Sequence, residues 1–203
     1  QEEALRGKLD EYDSMFTVNF DSPYLFYPIT KPHGKSYAGM LTLSKFNIES
    51  GLRRSLPIEN GFMKFVDLDR CYSVSRITVE NGKELVLYTL HLSAYTSDGT
   101  IATDQLKMLI SDMQAEYEKG NYCIAGGDFN KDLPGDSGAD YAWAQPFPTE
   151  LLRRLLSIGL PAGGEGLSYN LSQSTSLVFV NTIGTYAVTA RMYMNMFAQV
   201  CYM

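Results

Sequence analysis

The stretch from Tyr72 to Asn130 constrains the fold more than any other part of the chain. Tyr72-Ser73-Val74-Ser75-Arg76-Ile77-Thr78-Val79-Glu80 alternates apolar and polar, Asn81-Gly82 follows, and Glu84 to Leu92 forms a second strand-like run. Asn-Gly between two such runs is the favoured two-residue hairpin turn, because both positions tolerate positive φ. Leu106, Leu109, Ile110, Met113 and Tyr117 then recur at helical spacing. That spacing predicts a helix from about Asp104 to Lys119, capped by Thr103 and stopped by Gly120. A buried strand is expected next over Asn121 to Ala125, ending in Gly126-Gly127-Asp128-Phe129-Asn130. Antiparallel hairpins with one strand–helix–strand unit make the chain α/β or α+β.

The flanks are less regular. The first twelve residues read as helical, with Leu5 and Leu9 four apart, and strands are expected over Met15–Phe20, Tyr24–Ile29 and Met40–Phe46. Pro148-Thr149 opens a short helix through Leu156, closed by Gly159; residues 161–175 read as loop, and Leu177–Val188 as one or two strands. Met192-Tyr193-Met194-Asn195-Met196 fits neither period and reads as a truncated end. With no repeat or Pro/Ser-rich linker, 203 residues are expected to form a single domain, 1–203, with a core of ordinary size.

Composition narrows the partners. At 45% apolar and 20% charged residues the chain reads as globular. A net charge of −6 argues against a protein built mainly to grip a nucleic-acid backbone. No run approaches the ~18 continuous apolar residues of a membrane span, so no transmembrane segment is expected. The compartment stays open between cytoplasmic and secreted. The three cysteines (Cys71, Cys123, Cys201) lack C-x-x-C spacing, and Cys123 is expected in the core. Any mechanism must work with two histidines, His33 and His91.

One strand delivers His91 to its carboxyl end, and another delivers Asp128 and Asn130. Residues two apart on an extended backbone point the same way, so Asp128 and Asn130 reach one site if the chain stays extended. Gly126 and Gly127 allow close backbone approach to a ligand. Beside a parallel pair, sites gather outside the carboxyl ends of strands. An acid, an amide and an imidazole converging there suit a hard divalent cation and an anionic substrate. Each also has a bland alternative: a structural histidine, and turn or cap residues. The proposed chemistry requires residues 91 and 128 to meet in one cleft; a gap of more than about a dozen ångströms would end it.

Three stretches in this order resemble the endonuclease/exonuclease/phosphatase superfamily of metal-dependent phosphoesterases. Tyr37-Ala38-Gly39 through Leu43-Ser44-Lys45 is similar to its "Y-x-G…L-S-[RK]" strand, His91-Leu92 through Gln105-Leu106 to its "H-L…Q-L" segment, and Gly127-Asp128-Phe129-Asn130 to its "G-D-x-N" motif. The resemblance runs from about Tyr12 to Leu152. It implies a four-layer α-β-β-α sandwich and hydrolysis of a phosphoester by in-line attack of water on phosphorus, with Mg²⁺ (or Mn²⁺) neutralising phosphoryl charge. By that resemblance Asp128 orients or deprotonates the water or holds the metal, Asn130 positions phosphate or a metal-bound water, His91 donates to a phosphoryl oxygen, and Tyr37 lines the substrate groove. The substrate classes implied are a phosphorylated small molecule, a lipid headgroup or a nucleic acid, with Arg53-Arg54, Lys31 and Lys35 as a candidate anion-attracting rim. A monomer is expected.

The departures carry their own expectation. The family's Gln-Glu metal-ligand strand has no counterpart, since Glu2 heads a helix-like segment, and its terminal Ser-Asp-His is not matched by Ser97-Asp98 or Ser111-Asp112. The sandwich is therefore expected to be incomplete, truncated at both ends, and of low or no activity. The alternative to an enzyme is a non-catalytic interaction module that keeps the family fold.

Overall fold

The computed structural model describes residues 2–26, 28–58, 69–79, 82–94, 100–135, 144–184, 186–190 and 192–194. A short helix α1 (Glu2–Arg6) precedes β1 (Asp13–Leu25) and β2 (Gly34–Ser44), which pair antiparallel as a two-stranded ribbon. A second, four-stranded sheet follows in the spatial order β3 (Ser50–Ser55), β4 (Cys71–Thr78), β5 (Glu84–His91) and β6 (Tyr122–Asp128). The first three are antiparallel, and helix α2 (Thr100–Glu118) carries the chain back so that β6 lies parallel to β5. This is the expected α+β sandwich.

Period-two alternation sorts the sheet residues onto two faces. One face of the four-stranded sheet presents Tyr72, Val74, Val86, Tyr88, Leu90 and Cys123 to Leu106, Leu109, Ile110 and Met113 of α2, and this is the main core. The opposite face mixes Ser73, Ser75 and Thr89 with Ile77, Leu85 and Leu87, and hydrogen bonds join it to the ribbon: the Thr42 and Thr89 hydroxyls lie 2.9 Å apart, and the Cys71 N–H donates to Asn19 Oδ1 at 3.1 Å. Helix, sheet and ribbon form three layers among the described residues.

Gly120 ends α2 as expected. Its φ of 87° puts it in the left-handed region, its N–H donates to Tyr117 O, and the Asn121 N–H reaches back to Glu116 O. That pair of bonds is the glycine-terminated Schellman arrangement, which satisfies carbonyls a helix end leaves open. The start differs: α2 begins at Thr100, so Thr103 lies inside the helix, where its hydroxyl accepts from Lys131 Nζ at 2.9 Å. Tyr117 is exposed, and the buried position on that turn is Glu116. Its carboxylate accepts from both Arg76 (2.7 Å) and Lys119 (2.8 Å), which offsets the cost of burying the charge.

The β4–β5 hairpin is as expected in kind but not in register. The Val79 N–H donates to Lys83 O and the Gly82 N–H to Val79 O, so three residues lie in the loop; Asn81 itself is outside the described residues. Three-residue loops with a glycine at positive φ are the next commonest hairpin class, and Gly82 has φ 75°. One added loop residue moves each side chain across to the other face of its partner. Hence Cys71, not Tyr72, stands opposite His91.

Three further expectations are corrected. Met15–Phe20 and Tyr24–Ile29 are not separate strands, because β1 runs unbroken to Leu25 through two register shifts. Among the described residues β6 pairs with β5 alone, and Ile124 is exposed although Cys123 is fully buried. Residues 161–175 are not loop, nor 177–188 strand: helix α3 runs from Thr149 to Ile183 through Pro161, with helical segments 186–190 and 192–194 beyond Gly184. The β-branched run there has no strand beside it among the described residues, so the backbone satisfies its own hydrogen bonds as helix. The chain divides into two compact units, Gln1–Leu160 and Pro161–Met203.

Candidate active site

The parallel register of β5 and β6 sets His91 beside Asp128 at the carboxyl ends of both strands. His91 Nε2 lies 3.7 Å from Asp128 Oδ2, well inside the limit set by the sequence reading. The strands approach this closely because residue 127 is glycine. Its φ is 139°, and a Cβ built there would meet Leu90 O at 2.0 Å. The Leu92 N–H then donates to Asp128 O at 2.9 Å, extending the ladder one step past the site.

Beyond Asp128 the backbone does not stay extended. Asn130 adopts φ 47°, and its N–H donates to Asp128 Oδ1 at 3.0 Å, an Asx-type turn. Its side-chain amide donates to Leu92 O at 2.8 Å. Asn130 is thus brought to the site by a turn, and its amide nitrogen fastens the end of β5 to the loop after β6. Asp128 keeps one oxygen for that turn and turns the other toward His91, with the side chain 61% exposed.

Arg70 is the residue that sequence reasoning missed. It precedes β4, is 4% exposed, and its Nη1 lies 3.1 Å from His91 Nε2 and 3.3 Å from Nδ1. A guanidinium held this close to both ring nitrogens disfavours a second positive charge on the imidazole and so favours its neutral form. Burial, then the Arg70 charge, lower the pKa of His91 below its ordinary value, and Asp128 opposes them. The hairpin register was the signal that locates Arg70: residue 71 opposite His91 puts residue 70 at the site.

Gln105 explains the second motif in physical terms. It is fully buried on α2, accepts from the Ser93 N–H at 2.8 Å, and donates to Ser93 Oγ at 2.8 Å and Pro57 O at 2.7 Å. The loop after His91 is thereby anchored to the crossover helix. Tyr37 belongs to the ribbon, not to the strands that carry His91 and Asp128. It is 55% exposed on β2, and its ring packs against Phe16 with centroids 5.9 Å apart.

The expected rim also has other employment. Arg54 makes a two-pronged ion pair with Asp112, at 3.0 and 3.1 Å, that ties β3 to α2. Arg53 Nε donates to Val18 O at 2.7 Å, tying β3 to the ribbon. Ser97-Asp98 lies outside the described residues. Among the described residues no three His, Cys, Asp or Glu side chains cluster as a metal centre. Among the described residues Asp128 is the one carboxylate at the site, with the Asn130 amide beside it. Magnesium sites use one or two carboxylates together with substrate phosphate, so this donor set fits a cation in company with a bound phosphate.

Known structures share this fold. An endonuclease/exonuclease/phosphatase from Beutenbergia cavernae superposes with a TM-score of 0.50 at 19% identity, covering 71% of this chain and 36% of that one. The human Nocturnin catalytic domain gives 0.49 at 17% identity, over 67% and 48%. The chain thus spans less than half the length of either. The fold is that of the endonuclease/exonuclease/phosphatase proteins. No family model matches the sequence. A separate, short likeness exists to the uncharacterized transporter YisQ of Bacillus subtilis strain 168. It is 50% identical over 44 residues, which is 22% of this chain and 10% of that protein.

Proposed function

We propose that unit Gln1–Leu160 is built for phosphoester hydrolysis, with His91, Asp128 and Asn130 as its working residues, at the low turnover expected of a site with one carboxylate among the described residues. The observation that carries this is the 3.7 Å approach of His91 and Asp128 over buried Arg70, on a fold shared with phosphoesterases. Asp128, anionic and open to solvent, accepts a hydrogen bond from a water and aims its lone pair at phosphorus opposite the leaving oxygen. As water adds, one of its protons passes to the Asp128 carboxylate, the P–O bond to the leaving group breaks, and the departing alkoxide takes a proton from solvent water, to which Asp128 then returns its own. Negative charge grows on the phosphoryl oxygens, and the neutral His91 ring offers its remaining N–H to one of them. A fixed donor aimed at developing charge is worth more inside a protein than in water. Arg70 orients the ring and adds positive charge beneath it.

Asp128 and Asn130 would hold a divalent cation, which would supply Lewis-acid neutralisation of phosphoryl charge when bound with substrate. The substrate is a small phosphodiester or monoester ahead of duplex nucleic acid, in keeping with the net charge of −6. The test is turnover of bis-p-nitrophenyl phosphate and p-nitrophenyl phosphate by the full chain with Mg²⁺ or Mn²⁺, against His91→Ala and Asp128→Asn. Metal-dependent turnover abolished by both changes supports the proposal. Folded protein with no turnover above the variants points instead to a non-catalytic interaction module.

A further inference from the structure

We propose that the helical face of unit Pro161–Met203 is a contact surface for the hydrocarbon margin of a lipid bilayer. The first observation is charge. Of 17 basic and 23 acidic residues in the chain, Glu165 and Arg191 alone fall beyond Leu160. A solvated helix normally carries charge on its outer face, and this one carries almost none.

Exposure is the second observation. Leu171 and Val178, seven residues apart and so on one face of α3, are 66% and 64% exposed, and Tyr186 beyond Gly184 is 90% exposed. Met192, Tyr193 and Met194 are exposed as well. Such groups cost free energy in water and gain it in hydrocarbon, and tyrosine favours the interface between the two. The backbone is already prepared for that environment, because a helix satisfies its polar groups internally. At Thr175 the hydroxyl donates to Leu171 O at 2.8 Å, so this side-chain donor is also satisfied within the helix.

These features select the occupant. A charged protein partner or an anionic headgroup surface needs complementary charge, which the unit lacks; acyl chains need none. The contact runs along a face of the helix, since no helix among the described residues is long and apolar enough to cross a membrane.

The test is flotation of the full chain with neutral phosphatidylcholine vesicles at low salt and at high salt. The expected result is that the protein rises with the vesicles at both, and that Leu171→Glu, Val178→Glu and Tyr186→Glu together leave it in the dense fraction. In a second measurement, Val178→Trp emission is expected to be quenched by brominated acyl chains. A wild-type chain that stays in the dense fraction, is stripped by salt, or self-associates while ignoring the vesicles overturns the proposal. So does a triple variant that floats as well as wild type, or a tryptophan at 178 that bromine does not quench. Phosphoesterase activity does not enter these readouts, so the two proposals stand or fall separately.

Discussion

Gly127 passes so close beneath Leu90 that a β-carbon there would lie 2.0 Å from the Leu90 carbonyl oxygen and 2.9 Å from its nitrogen. Both are backbone atoms of a paired strand and cannot swing aside. Gly127→Ala is therefore expected to lose on the order of 1–3 kcal/mol from strain alone, and more where the β5–β6 ladder parts. A urea midpoint shifted downward, with turnover lost as Asp128 moves from His91, checks this; an unchanged midpoint refutes it.

Acid should unfold the protein partly through Glu116. Arg76, ahead of the opposing burial, and then Lys119 and Asn121 hold its carboxyl down from 4.5 to about 2. A depressed carboxyl contributes stability that is complete above pH 4.5 and is lost as the pH falls toward 2. The contribution is roughly 3 kcal/mol on linkage grounds. Chemical denaturation from pH 6 to pH 2.5 should show wild type losing stability over that window and Glu116→Gln losing markedly less.

His91 has the same sign by a different route. Burial and Arg70 hold its pKa below 6.5, so the ring is neutral at pH 7 and its stabilising neutrality is lost as the pH falls. The chain has two histidines, which makes assignment by NMR straightforward once His33→Gln is recorded. The His91 midpoint should lie below 6.5 and rise in Arg70→Met. A midpoint above 6.5 in wild type contradicts the geometry.

Replacing Gln105 by Leu strands the buried Ser93 N–H, while the carbonyl of exposed Pro57 can turn to water. The expected cost is about 1–3 kcal/mol for the one buried group left unsatisfied. Thermal unfolding of Gln105→Leu beside a half-buried control on the same helix such as Gln114→Leu tests it, and equal melting temperatures would show that the joint carries no weight.

His91→Ala in the full chain should lower kcat about 10²–10³-fold, the usual effect of losing one donor to developing charge. KM should change little. A loss confined to KM would assign the ring to substrate binding alone.

Much of this was legible from local chemistry. The helix face of Leu106, Leu109, Ile110 and Met113 and the stop at Gly120 follow from spacing and from one left-handed glycine. The meeting of His91 and Asp128 follows from two strands joined by a crossover helix. The hidden parts depend on what cannot be read one segment at a time. One extra loop residue at Gly82 brought Cys71 opposite His91 and Arg70 to the site. The turn at Asn130 depends on Leu92, thirty-eight positions away, accepting its amide. Residues 161–183 have the composition of loop and strand and became helix, since strand propensity counts only where a neighbouring strand is present.

The seam between the ribbon and the four-stranded sheet carries hydrogen bonds between Thr42 and Thr89 and from Cys71 to Asn19, Arg53 to Val18 O and Ser75 to Met15. Oily layers can slide past one another with little change in energy, but hydrogen bonds fail within a fraction of an ångström and a few tens of degrees. The two sheets are therefore keyed to one mutual orientation, and a hydrophobic substitution at Thr42 or Asn19 would unlock rotation between them well before it loosened either sheet.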